Sequence, residues 1–135
     1  MKPQSQLVCE ELLQLIERIK RGVLAVAEAH GLTRMQLFSL YSINLHGELG
    51  MGQVAEVLGC DASNVTGIID RLFQQGLVLR TESARDRRTK TIRLTPKGKQ
   101  LVDELARELP EHLGCEKLDE HDLTTLSALI QKLKT

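Results

Sequence analysis

The residues from Arg80 to Lys99 read RTESARDRRTKTIRLTPKGK and carry the strongest signal in the chain. This stretch holds eight of the eighteen Lys and Arg residues but only two acids, Glu82 and Asp86, so its local charge is +6. Because the whole chain is neutral, the other residues together carry a charge of −6. Lys and Arg that neutralise phosphates release condensed counterions, so this concentration of positive charge indicates a polyanionic partner.

Alternating apolar and polar residues on both sides of this cluster predict a β-hairpin. Residues 77–81 and 89–94 have the two-residue period of strands and enclose a basic loop. Just upstream, residues 62–75 have the period of a helix, for which Asp61 and Ser63 are alternative N-caps. The buried stripe of this helix is expected to comprise Val65, Ile68, Ile69, Leu72 and Phe73.

The rest of the chain predicts further helices with clear start and stop signals. Gly31 ends the first helix, and Thr33 with Gln36 has the spacing of a capping box that opens the second. Pro110 is expected to bend or end the fifth. The predicted helices span residues 6–30, 33–46, 52–58, 95–110 and 119–134.

Composition bounds the class of protein. The chain has 135 residues, of which 41% are hydrophobic and 27% charged, as in one folded domain. No stretch is apolar enough to span a membrane, no secretory signal begins the chain, and three cysteines without a CxxC pair favour a reducing cytoplasm. The sequence contains none of the common catalytic motifs, so neither an enzyme nor a cofactor is expected.

The order of helix, tight turn, helix and basic hairpin predicts a winged helix-turn-helix, mainly α with a small β-wing. The second of these helices fits the major groove of DNA, and arginines at the hairpin tip suit a narrow minor groove. Asp86 is interpreted as an orienting partner for a neighbouring Arg. The predicted DNA-binding residues are Ser63, Asn64, Thr66, Gly67, Arg71, Arg85, Arg87 and Arg88, with Asp70 on the same outward helix face.

Three motifs resemble the MarR family of bacterial transcriptional regulators: residues 64–72 (NVTGIIDRL), residues 76–78 (GLV), and Asp86-Arg87-Arg88 followed by residues 94–98 (LTPKG). The resemblance implies one MarR-like domain over residues 1–135. It also implies a dimer in which the first, fifth and sixth helices interlock, a palindromic operator, and a small-molecule effector in the crevice between the dimer helices and the DNA-binding lobe.

The termini favour a homodimer independently of this resemblance. Residues 33–98 form a nearly complete winged helix, whereas residues 1–32 and 99–135 carry Leu-rich apolar stripes that need a partner. A second copy is the favoured partner, and packing within one chain is the alternative. Two recognition helices would then address half-sites about one helical turn apart.

Cys9 and Cys115 raise the alternative of a thiol switch. In position they look like the peroxide-reactive and resolving cysteines of the organic hydroperoxide-sensing branch of the MarR family. That branch holds its thiolate with two tyrosines, and Val23 and Arg34 occupy the matching positions here. The only tyrosine is Tyr41.

Two other kinds of effector are possible alternatives to oxidation. The family default is a small aromatic or phenolic acid, for which Arg34 is the evident anion anchor. Metal sensing is a weaker alternative, because the candidate ligands lie close in sequence but match no tight metal signature. These ligands are His112, Cys115, Glu116 and His121.

The sequence thus predicts a sequence-specific regulator that binds double-stranded DNA. Repression is favoured over activation, because a dimer astride a promoter blocks polymerase sterically. The competing class is a winged helix that binds proteins and does not bind DNA.

Overall fold

The computed structural model describes residues 1–82, 85–86 and 88–135. Within them the chain is mainly helical with one small antiparallel sheet, which confirms the predicted fold class. Arg87, expected at the tip of the wing, lies outside the described residues. A single 3-10 turn, Cys115–Lys117, precedes the last helix. The elements are α1 (Gln4–Ala29), α2 (Arg34–His46), α3 (Met51–Leu58), α4 (Ala62–Gln74), β1 (Val78–Glu82), β2 (Lys90–Leu94), α5 (Pro96–Leu113) and α6 (Glu120–Lys134).

The chain divides into two compact units. One unit, here called the terminal unit, comprises Met1–Val26 and Arg107–Thr135. The other, here called the central unit, is Ala27–Ala106 and contains α2, α3, α4, the hairpin and the start of α5. The assignment of residues 33–98 to DNA binding and of both termini to dimerisation stays a prediction.

The helices of the central unit bury the faces that their periodicity indicates. Leu37, Leu40 and Ile43 of α2 are fully buried at three-residue spacing, and Val65, Ile69 and Leu72 of α4 are buried at spacings of four and three. Ile68, also expected in the stripe of α4, is half-buried. Removing these side chains from water provides most of the stabilisation of such a small fold.

The prediction that Phe73 belongs to this buried stripe is wrong. Its side chain is 51% exposed, although it lies one helical turn beyond the buried Ile69. Phe73 therefore belongs to the surface of α4.

The helix ends follow the expected chemistry. The Thr33 hydroxyl accepts a hydrogen bond from the Gln36 backbone N–H at 3.1 Å, and the Gln36 side chain accepts one from the Thr33 N–H at 3.0 Å. This arrangement confirms the capping box at the start of α2. Asp61 occupies the N-cap position of α4, where its side chain makes no capping hydrogen bond, and Gly76 follows that helix with a left-handed φ of 73°. Glycine reaches this conformation without steric cost.

The hairpin is held by a third extended segment that the sequence analysis missed. Its register runs from Val78 opposite Leu94 to Glu82 opposite Lys90. Leu49, in the connection between α2 and α3, forms an antiparallel bridge with Ile92 of β2, with N···O distances of 2.7 and 3.1 Å. The second strand of the wing is therefore attached to the connection between α2 and α3.

Within the terminal unit, α1 and α5 cross closely. A Cβ atom on Gly22 would lie 2.4 Å from the carbonyl oxygen of His112, which also accepts a hydrogen bond from the Arg18 guanidinium at 2.5 Å. Helix α5 continues past Pro110 to Leu113, so this proline does not end it. In the part of the chain that the structure describes, no helix has both the length and the apolar character that crossing a membrane requires.

Many large apolar side chains of the terminal unit are exposed. Along α6 they recur at helical spacing and form one apolar face that the single chain leaves open to water. On α1, Val8, Leu15 and Ile16 share one side of the helix, whereas Leu13 and Leu24 lie on another side. The exposed residues are Leu7, Val8, Leu13, Leu15, Ile16 and Leu24 of α1, and Leu123, Leu126, Leu129, Ile130 and Leu133 of α6.

Candidate DNA-binding surface

The outer face of α4 is polar, small and open. It lies opposite the buried Val65, Ile69 and Leu72. At Gly67 a Cβ atom would meet nothing within 4 Å, so another molecule can approach the helix backbone closely there. The exposed residues of this face are Ser63, Asn64, Thr66, Gly67 and Arg71, as the periodicity of the helix indicates.

Two of these hydroxyls are turned towards the helix itself. The Thr66 hydroxyl donates to the carbonyl oxygen of Ala62 at 3.0 Å, and the Ser63 hydroxyl donates to the Asp61 carboxylate at 3.4 Å. Both bonds are local and exposed, so a ligand that offers a better partner can replace them at small cost.

The described part of the wing tip is exposed and basic. Arg85, Asp86 and Arg88 all lie on the surface. The Asp86 carboxylate accepts a hydrogen bond from the backbone N–H of Arg88 at 2.9 Å, and the Asp86 carbonyl accepts one from Thr89 at 3.0 Å. Asp86 thus stabilises the turn that contains Arg88 by accepting a hydrogen bond from the backbone of Arg88, not from its guanidinium.

Arg80 of β1 connects the wing to α4 in two ways. Its guanidinium forms an ion pair with the Asp70 carboxylate on α4, and both side chains are about half exposed. The same guanidinium lies over the ring of Phe73, 5.6 Å from the ring centre, which is within the range of a cation–π interaction. Phe73 thus contacts the wing from the exposed surface of α4.

The base of the wing is anchored at the start of α5. The Thr95 hydroxyl donates to the carbonyl oxygen of Gly76 at 2.6 Å and accepts from the Gly98 N–H at 3.0 Å, so it caps α5 and holds the end of the α4 connection. The Lys97 ammonium donates to the carbonyl oxygen of Gln75 at 2.9 Å. The run LTPKG therefore has a structural role at the base of the wing.

Not all the positive charge of residues 80–99 is available to a ligand. Arg80 pairs with Asp70, and Arg93 pairs with Glu48 at 2.9 Å, so acids from outside the stretch neutralise two of its cations. Arg93 lies near the base of the hairpin and Arg80 in the middle of β1. The exposed Arg85 and Arg88 lie at the tip of the hairpin.

The candidate switch residues are distributed as follows. Cys9 is exposed and Cys115 half-buried, both as free thiols in the terminal unit. Among residues 1–82, 85–86 and 88–135, no three His, Cys, Asp or Glu side chains are placed to hold a metal ion. The structure thus does not bring His112, Cys115, Glu116 and His121 together as a metal site.

The phenol of Tyr41, on α2, is in a partly buried environment that changes its pKa. Burial is the main cause that raises the pKa of its phenol above the usual value, and the negative charge of Asp103 adds to the effect. Its hydroxyl is buried without a hydrogen-bond partner among the described residues.

A polar helix face beside a basic β-hairpin, in one unit with α2 and α3, defines a winged helix-turn-helix protein. The model of the MarR family matches residues 32–90, which contain α2, α3, α4 and most of the hairpin. The chain belongs to the MarR family. Its members are transcriptional regulators and not enzymes.

Individual relatives support this assignment. The chain is 37% identical over 101 residues to the HTH-type transcriptional repressor MdtR of Bacillus subtilis (strain 168), covering 73% of this chain but only 65% of the length of MdtR. The crystal structure of the B. subtilis protein YusO is 30% identical, with a TM-score of 0.65 and 98% of each chain covered. A mutant MarR from E. coli, solved with operator DNA, has the same fold at 22% identity, with a TM-score of 0.69 and coverage of 93% of this chain and 92% of the mutant.

Proposed function

We propose that this protein is a transcriptional regulator that binds a specific double-stranded DNA sequence. The observation that carries the proposal is the combination, in one compact unit, of an open polar face on α4 and a basic wing tip tied to the same helix. Ser63, Asn64 and Arg71 supply hydrogen-bonding groups for base edges and phosphates in the major groove. Arg85, Arg87 and Arg88 of the wing supply guanidinium groups for the adjacent minor groove.

The relatives point the same way. MdtR is named as a transcriptional repressor, and the E. coli MarR mutant was crystallised on its operator. By analogy, we propose repression as the mode of action here, since a protein bound across a promoter excludes polymerase from it.

A homodimer is the form in which we propose that it acts. The apolar faces of α1 and α6 are exposed in the single chain, and a second copy can cover them symmetrically. Burial of such faces contributes about 25 cal/mol per Å² of apolar area removed from water. A two-fold dimer would present two α4 helices to a palindromic operator with half-sites about one helical turn apart.

We also propose release from DNA by a chemical signal in the cytoplasm. A small organic effector is one form of this signal, with Arg34 as a candidate anion anchor. The other is oxidation of Cys9 and Cys115; exposure of the Cys9 thiol to solvent is compatible with attack by an organic hydroperoxide.

Selection of bound sequences from random duplex DNA by the purified full chain tests the proposal. We expect enrichment of one palindromic motif whose half-site spacing matches a dimer. A matched selection with Arg71→Ala should recover less DNA and a weaker motif, because Arg71 lies on the exposed face of α4. Absence of any enriched motif, together with an affinity for duplex DNA no better than that of a neutral control protein, would favour a protein-interaction module.

A further inference from the structure

We infer that Arg80 and Asp70 form a latch that sets the position of the wing relative to the recognition helix α4, and that DNA binding depends on this latch. The inference rests on the proposed function and names a pair that contributes without reading bases. Arg80 is on β1 and Asp70 on α4, so their ion pair crosses between the two elements that are proposed to enter neighbouring grooves.

The geometry makes Arg80 a positioning residue. Its guanidinium forms an ion pair with the Asp70 carboxylate and lies over the Phe73 ring, 5.6 Å from the ring centre. Asp70 and Phe73 are three residues apart on α4 and therefore neighbours on its surface. Two contacts to one helix fix both the distance and the direction of the guanidinium, and hence of β1, in a way that a single exposed ion pair does not.

The identity of Asp70 supports this interpretation. It lies beside Arg71 and one turn after Thr66, at the edge of the face proposed to meet DNA. An acid there repels phosphates, so electrostatics alone disfavours it. Its pairing with Arg80 supplies a reason for a carboxylate in this position.

The base of β2 has a separate support. Arg93 pairs with Glu48, and Leu49 bridges to Ile92, so the second strand is fixed to the connection between α2 and α3. In the described residues, the Asp70–Arg80–Phe73 cluster connects the side chains of α4 with those of β1. Loss of the latch should therefore change the angle between wing and α4 and leave the hairpin itself intact.

The direction in which Asp70→Ala changes DNA affinity distinguishes the latch from a simple electrostatic effect. We expect Asp70→Ala to weaken binding to a duplex recovered by selection with the wild-type protein about tenfold, although it removes a negative charge near the phosphates. Glu82→Ala is the matched control, because it removes an acid from β1 outside the latch and should leave binding unchanged or tighter. Fluorescence anisotropy at fixed ionic strength gives both affinities.

A double-mutant cycle then tests coupling. Arg80→Met should also cost about tenfold, and the double variant should be no worse than either single variant, since both remove the same latch. Arg80→Lys should recover part of the affinity, because it keeps the charge that pairs with Asp70. The pair is half exposed, so we expect each variant to unfold within about 4 °C of the wild type.

The outcomes distinguish the latch from the proposed function on which it rests. Tighter binding by Asp70→Ala, or independent, multiplying effects of the two substitutions, would overturn the latch while the wild type still binds its selected duplex. Failure of the wild-type chain to select any duplex would overturn the proposed function itself, and the latch with it.

Discussion

A Cβ atom on Gly98 would lie 2.0 Å from the carbonyl oxygen of Leu77. Gly98 is in the first turn of α5, and Leu77 immediately precedes β1, so the helix and the base of the wing are in backbone contact. The contact is possible only because glycine has no side chain. Gly98 therefore belongs to the framework that holds the wing.

Gly98→Ala should destabilise the fold by about 2–4 kcal/mol, because either α5 or the base of β1 must move to admit the methyl group. Urea unfolding monitored by circular dichroism measures the change. Gly52→Ala in α3 is the control, since a Cβ there meets nothing within 4 Å and alanine favours helix. Equal stability of the Gly98→Ala variant and the wild type would contradict the close contact.

Gly67→Ala should separate stability from DNA binding. It lies within α4 with no atom within 4 Å of an added Cβ, so alanine should raise the free energy of unfolding by about 0.5–1 kcal/mol. The same methyl group should weaken binding to the selected duplex several-fold, because it keeps the α4 backbone away from the DNA. A more stable variant with undiminished affinity would show that this part of α4 does not approach the duplex.

Leu129→Glu should dissociate the proposed dimer. Leu129 is 50% exposed on the apolar face of α6, and a two-fold axis would bring the introduced charge into the interface twice. Sedimentation velocity should show a dimer for the wild type and a monomer for the variant at micromolar concentration. Leu45→Glu, at a side chain 79% exposed on α2, should remain dimeric. A monomeric wild type would rule out self-association through this face.

The environment of Tyr41 predicts a loss of stability in alkali. Burial and Asp103 raise the pKa of the folded phenol above the unfolded value of 10.0, so the folded state keeps its proton after the unfolded state has released it. This contribution is complete below pH 10 and declines as the pH rises through the raised pKa. As the pH rises above 10.0, Tyr41→Phe should lose less stability than the wild type in urea titrations. Parallel pH profiles of the two proteins would contradict the shift.

The helical parts of this fold are predictable from sequence because they depend on residues close together in the chain. Leu37, Leu40 and Ile43 bury together since three-residue spacing places them on one helix face. The capping box at Thr33 is equally local. The predicted exposed face of α4 follows from the same periodicity, as the complement of its buried stripe.

The features that sequence reasoning missed depend on contacts distant in sequence. Phe73 matches the helical period but is exposed, and its ring contacts the Arg80 guanidinium of β1. Leu49 bridges to Ile92 from a connection with no strand-like period. For Phe73 and Leu49 the signal lies in the partner and not in the local pattern.

The salt dependence of duplex binding tests the central claim most directly. The logarithm of the binding constant for the selected duplex should fall linearly with the logarithm of salt concentration. Arg88→Ala should make this slope shallower by about one for each phosphate that is no longer neutralised, which is about two in a homodimer. The control variant Lys134→Ala, at the end of α6, should leave the slope unchanged. A wild-type protein whose affinity for DNA at low salt equals that of a neutral control protein would contradict the account.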